Sequence, residues 1–264
     1  IKNGQTKPFA EKLWKLFEPF QAYGFNTAHA ASYGKVAYQT AYMKANFPAL
    51  YMAAVLTADA GDVEKIAEGV NECKRMGIPV LPPDVNESFG DFTVIKTPQG
   101  ERDAIRFGLH SIKNFGEGIA DSIIAQRKRG GPFASLADFL GRIQDKNLNR
   151  KSLEALIKSG ALASFSEERG TMIKNIEYLL KYHKEATGGG EGQDSIFGLL
   201  PEDKRASSLS MERGEEVNAA EKLVWEKELL GLYISGHPLD KFKHRLEKIE
   251  RDIRKVKEEV NEGM

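Results

Sequence analysis

The sequence predicts a mainly α fold with one small β-hairpin. Apolar residues recur at helical spacing through most of the 264 residues. Two short apolar runs, residues 92–95 and 104–107, flank residues 97–100, whose proline and glycine favour a turn. With 41% hydrophobic and 29% charged residues, the chain has the balance of a folded globular protein.

Four helices are predicted before residue 78. Residues 11–20 have apolar side chains at helical spacing, and a second helix over 30–46 ends before Pro48. Pro48 also suits the first turn of a third helix that reaches residue 58. Asp62 is a candidate cap for the fourth helix, and Gly77 ends it.

The rest of the chain alternates between short helices and breaks. Residues 78–83 hold too many prolines for a central strand, and the hairpin follows them. Beyond Gly108 the pattern is helical again, with a capping box at Ser135 and Asp138. Further helices are predicted at 166–185, at 219–230 and from residue 240 onward. Residues 187–192 are a glycine-rich linker, and residues 193–215 are predicted to be irregular and exposed.

The formal net charge is zero, with 38 basic and 38 acidic residues. By segment it is +3 over 1–60, −3 over 61–100, +4 over 101–160 and −4 over 161–264. This excludes a uniformly basic coat protein, and the two basic segments are the candidates for phosphate contacts.

The chain is predicted to be cytoplasmic and to have no membrane segment, because its longest apolar run is near ten residues. Its single cysteine fits a reducing compartment and excludes an internal disulfide. The first residue is Ile1, so we expect a piece of a longer protein.

A glycine motif in the second basic segment favours DNA binding. Gly116 and Gly118 permit a tight turn with positive φ and close backbone approach, and a helix starts near Ile119. The free N–H groups of such a helix suit a phosphate oxygen, with Lys113 and the basic run at 127–129 expected nearby. This is the pattern of a helix-hairpin-helix, which contacts the DNA backbone without reading bases. An ordinary glycine turn between packed helices remains the alternative.

A second helical pair follows the glycine motif. Asn149, Arg150, Lys151 and Ser152 start one helix, and Ser159 and Gly160 end it.

Two other segments are candidates for binding. Gln193, Asp194, Ser195, Ile196 and Phe197 place apolar anchors after the flexible linker, as docking peptides do, although the peptide alone favours folding back onto the core.

Asn26, His29, Ser32, Tyr33 and Lys35 place polar groups along a helix, where they can meet a triphosphate or a template base. A histidine and a tyrosine satisfied in the core are the more frequent explanation of such a pattern.

Catalytic phosphoryl transfer is not predicted within the chain. Two-metal catalysis needs closely placed carboxylates, and the sequence contains no Asp-x-Asp and no Walker loop. We therefore expect no catalytic residue, no metal and no cofactor here.

Several motifs, in order along nearly the whole chain, resemble bacterial C-family replicative DNA polymerases. They are Tyr23-Gly-Phe-Asn26, Ala37-Tyr-Gln-Thr40, Leu81-Pro-Pro-Asp84, the glycine motif, Leu148-Asn-Arg150, Ser159-Gly-Ala161, Leu230-Gly-Leu-Tyr233 and Ser235-Gly-His-Pro238. Each motif is modest alone, and the ordered set is specific.

The resemblance implies an architecture of fingers-type helices, a tandem helix-hairpin-helix domain and a helical tail. The implied domains are 1–90 (end of the fingers and connector), 91–186 (β-hairpin and tandem helix-hairpin-helix), 187–216 (linker with a clamp-binding peptide) and 217–264 (a helical segment before an OB domain). The palm, with its catalytic aspartates and Mg²⁺, is expected upstream of this chain.

The resemblance also implies roles for residues. DNA contacts are expected from Lys113, Phe115, Gly116, Glu117, Gly118, Ile119, Arg127, Lys128, Arg129, Arg150 and Lys151. Residues 193–197 match the family's sliding-clamp-binding peptide. Asn26, His29, Ser32, Tyr33 and Lys35 are the tentative contacts to a deoxynucleoside triphosphate. Where many relatives have Lys-Ser between Asn26 and His29, this chain has Thr27 and Ala28, so that lysine's triphosphate contact does not carry over.

The implied function is a part of a DNA-directed DNA polymerase in replication. The expected partners are primer–template duplex DNA, the sliding clamp, the incoming nucleotide and other replisome subunits. The fragment alone is expected to be inactive. The alternative is a stand-alone, non-enzymatic helix-hairpin-helix module that binds DNA or a clamp.

Overall fold

The computed structural model describes residues 4–22, 26–96, 103–188 and 209–246. Helices dominate these residues, and one small three-stranded sheet lies between the fourth and fifth helices in the chain, so the predicted fold class is confirmed. The chain divides into two units, 1–51 and 52–264. The domain boundaries predicted at residues 90, 186 and 216 stay predictions.

The first unit is built from helices with little burial. Helix α1 is Lys7–Ala22, α2 is Thr27–Asn46, and α3, Pro48–Ala58, continues into the second unit. The Asn26 side chain caps α2 by accepting the N–H of Ala28 at 2.8 Å. No residue of α2 is buried.

The second unit begins with a close helix pair. Helix α4 is Val63–Arg75, and the Asp62 side chain caps it by accepting the N–H of Lys65 at 3.2 Å. That hydrogen bond lowers the pKa of Asp62. Gly77 follows the helix at φ +71°, as a C-terminal glycine does. A Cβ at Gly69 of α4 would lie 2.8 Å from the end of the Leu56 side chain of α3, so any larger residue would require Leu56 to shift.

The small sheet contains strands β1 (Val80–Leu81), β2 (Thr93–Lys96) and β3 (Asp103–Arg106), in the order β1-β3-β2. Strand β2 pairs antiparallel with β3, which confirms the two predicted hairpin strands, while the turn at 97–100 lies outside the described residues. Strand β1 pairs parallel with β3 at one edge. The prolines around β1 are tolerated there because an edge strand has one unpaired side.

Three helices follow the sheet, namely α5 (Glu117–Gly130), α6 (Leu136–Arg142) and α7 (Arg150–Ser159). Ser135 caps α6 by accepting the N–H of Asp138, as its capping pattern predicts. Most of the largest fully buried side chains of the unit come from β3, from the segment between β3 and α5, and from these helices, and they include Ile105, Phe107, Leu109, Ile119, Phe139 and Leu156.

The helix predicted over 166–185 is two helices, α8 (Arg169–Lys174) and α9 (Ile176–Ala186). Asn175 separates them, and its side-chain amide explains the break. It donates to the carbonyls of Thr171, at 2.8 Å, and Glu212, at 2.7 Å, while its oxygen accepts the N–H of Glu212 at 3.0 Å. The prediction of one helix was wrong because this partner is 37 residues away.

Residues 209–217 are irregular, as predicted, but part of this stretch is held against α8. Val217 is buried, and its N–H donates to Glu168. A Cβ at Gly170 of α8 would collide with the backbone of Glu215, and one at Gly214 would collide with the backbone of Gly170, so these two glycines allow the irregular segment to lie directly against α8. Of the residues predicted to be exposed, 193–215, the described ones are exposed or half-buried, and the buried Val217 lies just beyond them.

Helix α10 spans Ala219–Leu230 and confirms the predicted helix. After a 3₁₀ turn at Asp240–Phe242, α11 covers Lys243–Leu246, and the rest of the predicted charged helix lies outside the described residues. Among the helices that the structure describes, none is both long and apolar enough to cross a membrane.

Candidate nucleic-acid interface

The glycine motif forms a turn, residues 113–118, at the start of α5. Phe115 and Ile119 are buried, with 6% and 1% exposed surface, and anchor the turn in the core. Between these anchors Gly116, Glu117 and Gly118 are exposed. The sequence therefore holds the backbone of three consecutive residues at the surface by burying the apolar residue on each side.

Two local expectations for this turn were wrong. The element before it is a 3₁₀ turn at Leu109–Ser111 rather than an α-helix. Gly116 has φ −77°, Gly118 is likewise outside the positive-φ region, and the residue with positive φ is Asn114, at 66°. Asparagine is the residue that adopts this conformation most readily after glycine, which is the signal that the sequence offered.

What the two glycines contribute is space. A Cβ added to Gly116 or Gly118 would meet nothing within 4 Å. Neither a strained φ nor close internal packing requires glycine at these positions. Open backbone of this kind lets an external group reach the amides directly.

The first turn of α5 has free hydrogen-bond donors. Its N-cap residue is Gly116, and no side chain caps the helix. The first intrahelical hydrogen bond runs from Ala120 N–H to the Gly116 carbonyl. Within the described chain, the N–H groups of Glu117, Gly118 and Ile119 thus have no protein acceptor, and the helix dipole adds partial positive charge there.

The second predicted hairpin differs from the first at this point. Asn149 caps α7 by accepting the N–H groups of Lys151, at 2.9 Å, and Ser152, at 3.1 Å. The Ser152 hydroxyl in turn accepts the N–H of Asn149 at 2.9 Å. This capping box satisfies donors that α5 leaves open. Arg150 and Lys151 are exposed, and Arg150 pairs with Glu177.

Lys113 lies at the start of the turn with an exposed side chain. Its backbone N–H donates to the carbonyl of Leu229, the penultimate residue of α10, at 2.9 Å. The tail helix therefore fixes the position of the turn. Sequence reasoning missed this contact because no local pattern links residues 116 positions apart.

The prediction that the basic run 127–129 lies beside the glycine turn was wrong. These residues occupy the last turn of α5. At a rise of 1.5 Å per residue, Lys128 lies about 15 Å along the helix from Gly118. Lys128 and Arg129 are exposed at that far end.

Arg127 is a structural residue rather than a surface cation. It is 9% exposed, and its Nη1 donates to the carbonyl of Val85 at 2.7 Å. Burial lowers the pKa of Arg127, against the opposing effect of Asp84 and Glu87. Because its guanidinium is buried and bonded to the Val85 carbonyl, Arg127 is not accessible for the phosphate contact that was predicted for it.

The residues predicted to meet a nucleotide lie on and before α2. Asn26 is the helix cap, and the Ser32 hydroxyl donates to the Ala28 carbonyl at 2.7 Å. The rings of His29 and Tyr33 are in contact, with centroids 4.4 Å apart. Tyr33 is 66% exposed, and His29 and Lys35 are also exposed. The alternative explanation, in which the histidine and the tyrosine are buried in the core, is therefore not observed.

The remaining two expectations concern the clamp-binding peptide and a metal site. The peptide 193–197 lies outside the described residues. In the described part of the chain, no three His, Cys, Asp or Glu side chains are grouped so that they could hold a metal ion.

Known proteins share both the hairpin region and most of the remaining sequence of this chain. The family model of the helix-hairpin-helix motif matches residues 77–172, which include both hairpins. The chain is 41% identical over 249 residues, 94% of its length, to the DNA polymerase III subunit alpha of Borreliella burgdorferi. It is 39% identical over 99% of its length to the same subunit of Thermus aquaticus, and 39% identical over 96% to that of Escherichia coli K12.

Over nearly its whole length the chain is therefore similar to DNA polymerase III alpha subunits. It covers 21% of the Borreliella burgdorferi subunit, 20% of the Thermus aquaticus one and 21% of the Escherichia coli one, so it spans about a fifth of these relatives. These identities confirm the predicted resemblance to C-family replicative polymerases.

Proposed function

We propose that this chain holds duplex DNA by its backbone as part of a DNA-directed DNA polymerase in replication. The observation that supports the proposal most is the open N-terminus of α5, where Gly116 and Gly118 leave the backbone accessible. A phosphate oxygen is the ligand that such a group of N–H donors prefers. Contacts of this kind position DNA and carry no sequence information.

The contact is assigned to the first hairpin rather than shared equally between the two. Asn149 satisfies the N–H groups of Lys151 and Ser152 at the start of α7, so the exposed side chains of Arg150 and Lys151 are the main groups left for phosphate there. Lys113 adds a positive side chain beside the open donors of α5. The α5 turn thus supplies hydrogen bonds, and the α7 turn supplies charge.

Salt titration tests this proposal. Binding of the chain to a blunt duplex is measured by fluorescence anisotropy as salt is raised, on duplexes of two unrelated sequences. We expect the same affinity for both duplexes and a log–log slope of about −0.9 for each phosphate neutralised. A flat salt dependence, or a preference for one sequence, would contradict backbone binding.

The other roles implied by the family complete the proposal. The exposed face of α2 around His29 and Tyr33 contacts the incoming nucleotide within the whole polymerase. Residues 193–197 bind the sliding clamp, and other replisome subunits are further partners. Catalysis by Mg²⁺ and palm carboxylates is expected of the whole polymerase, and no step proposed for the described residues passes through a metal.

A further inference from the structure

Phe89 is an aromatic ring that a rigid loop holds at the surface. The side chain is 41% exposed. Next to it, Ser88 is fully buried, and its hydroxyl donates to the Phe107 carbonyl at 2.7 Å. The Phe89 carbonyl accepts the N–H of Leu109 at 2.9 Å, and the Gly90 carbonyl accepts that of His110 at 3.0 Å. The backbone is fixed on both sides of the ring. A ligand that contacts the ring therefore loses little affinity to ordering of this loop.

Cationic groups from the end of α5 surround this ring. The guanidinium carbon of Arg127 lies 5.1 Å from the ring centroid, and the Lys128 ammonium lies 5.7 Å from it. Arg127 is buried, whereas Lys128 and the adjacent Arg129 are exposed. We call Phe89, Lys128 and Arg129 the Phe89 patch.

The acidic residues close to the patch in sequence have partners of their own. Glu87 pairs with Arg106 of β3. Asp91 lies 3.9 Å from His110. Lys128 and Arg129 themselves form no ion pair with a carboxylate of the described residues, so their exposed positive charge is available to an anionic ligand.

We propose that the Phe89 patch binds a single nucleic-acid strand, with the ring stacking on an unpaired base and the two cations contacting its phosphates. Aromatic rings beside positive charge are the usual means of binding single strands without sequence preference. In a duplex the base faces are covered, so a protruding ring needs an unpaired base. An acidic peptide would match the charge, but the negative face of an aromatic ring repels carboxylates.

The position of the patch connects it to the duplex contact, and in this respect the inference rests on the proposed function. The patch is at the opposite end of α5 from the glycine turn, about 15 Å away along the helix. At 3.4 Å per base pair, this distance is about four to five nucleotides. A strand leaving a duplex that is held at the turn can therefore reach Phe89 once it is about five nucleotides long.

The experiment compares three DNAs with the 264-residue chain. They are a blunt duplex, the same duplex with an eight-nucleotide overhang, and the same overhang made of abasic sites. Phe89→Ala is expected to weaken binding about tenfold for the base-bearing overhang, as loss of one stacked base does. Less than a twofold change is expected for the blunt and abasic DNAs. Lys128→Ala combined with Arg129→Ala is expected to weaken binding of both overhangs, because phosphates remain in each.

Two controls keep the result specific. Tyr178→Ala removes another exposed aromatic ring, 39% exposed on α9, and is expected to leave all three affinities unchanged. Phe89→Leu keeps an apolar side chain but removes the π-face, and is expected to match Phe89→Ala. Thermal melting of each variant verifies that the fold is retained.

The outcomes separate this inference from the proposed function. An equal loss on all three DNAs, or no loss on any, would overturn the stacking role of Phe89. Displacement of the overhang by a polyglutamate peptide that depends on Phe89 would assign the patch to an acidic protein partner and also overturn it. Absence of salt-dependent binding to the blunt duplex would refute the duplex contact alone, while a Phe89-dependent affinity for the base-bearing strand would still support the patch.

Discussion

Replacing Gly118 with alanine should stabilise the protein and weaken DNA binding at the same time. Gly118 lies in α5 without positive φ, and an added Cβ meets nothing within 4 Å. Alanine in a helix is favoured over glycine by about 0.5–1 kcal/mol. For a domain of this size that corresponds to a rise in Tm of about 1–4 °C.

The same Cβ occupies the space through which a phosphate oxygen approaches the α5 amides. Loss of one hydrogen bond to a charged group costs about 1.5–3 kcal/mol, and 1.4 kcal/mol is about tenfold in affinity. We therefore expect Gly118→Ala to weaken binding of blunt duplex by about tenfold or more, measured by fluorescence anisotropy at fixed salt. If Gly118 had only a structural role, Gly118→Ala would lower the stability of the protein and leave its affinity for duplex DNA unchanged.

Gly141→Ala provides a matched control. Gly141 lies in α6, is outside the positive-φ region, and its added Cβ also meets nothing within 4 Å. We expect a similar rise in Tm with unchanged DNA affinity. If Gly118→Ala binds duplex as tightly as Gly141→Ala does, the assignment of phosphate binding to the α5 turn is refuted.

The remaining predictions concern the charge at the turn, the second hairpin, acid stability and the clamp peptide. Glu117→Gln should tighten duplex binding by a few-fold in the anisotropy assay, because an exposed carboxylate beside the phosphate is removed; weaker binding would contradict this. Asn149→Ala should lower the free energy of unfolding by about 1 kcal/mol in urea denaturation through loss of the α7 cap. Burial alone would raise the pKa of Glu168, but N–H donors of three residues outweigh it, so the pKa is lowered. The stabilisation by the Glu168 carboxylate is therefore present above the ordinary glutamate pKa and is lost as the pH falls through the lowered pKa. Glu168→Gln should flatten the fall of the unfolding free energy in this acid range. Ile196→Ala and Phe197→Ala should each weaken binding to a sliding clamp in surface plasmon resonance and leave duplex affinity unchanged; unchanged clamp affinity in both would refute the peptide assignment.

The sequence predicted those parts of the fold that depend on neighbouring residues. Asp62 and Ser135 cap their helices, and Gly77 and Gly160 end theirs, because these interactions span only three or four residues. The hairpin strands follow equally from a local run of apolar residues around a turn. The glycine motif was found for the same reason, although the explanation by positive φ was wrong and Asn114 takes that role.

Other features depended on contacts between distant residues. Arg127 appears from sequence as one of three equivalent cations, and only the Val85 carbonyl, 42 residues away, makes it internal. Asn175 breaks a continuous helical pattern because Glu212 supplies its hydrogen bonds. The contact between Lys113 and Leu229 joins two parts of the second unit that are 116 residues apart in sequence.

By itself the sequence determined which parts of the chain are mainly helical, which local residues cap several of these helices, and that α5 starts in a glycine-rich turn. The tertiary structure decided which helix N-terminus is open, which cations face solvent, and that the Phe89 ring lies beside the buried Arg127 and the exposed Lys128. Helix caps and periodicity are local properties of the chain. Exposure and charge at a site are set by the residues that the fold packs around it, and no short segment contains that information.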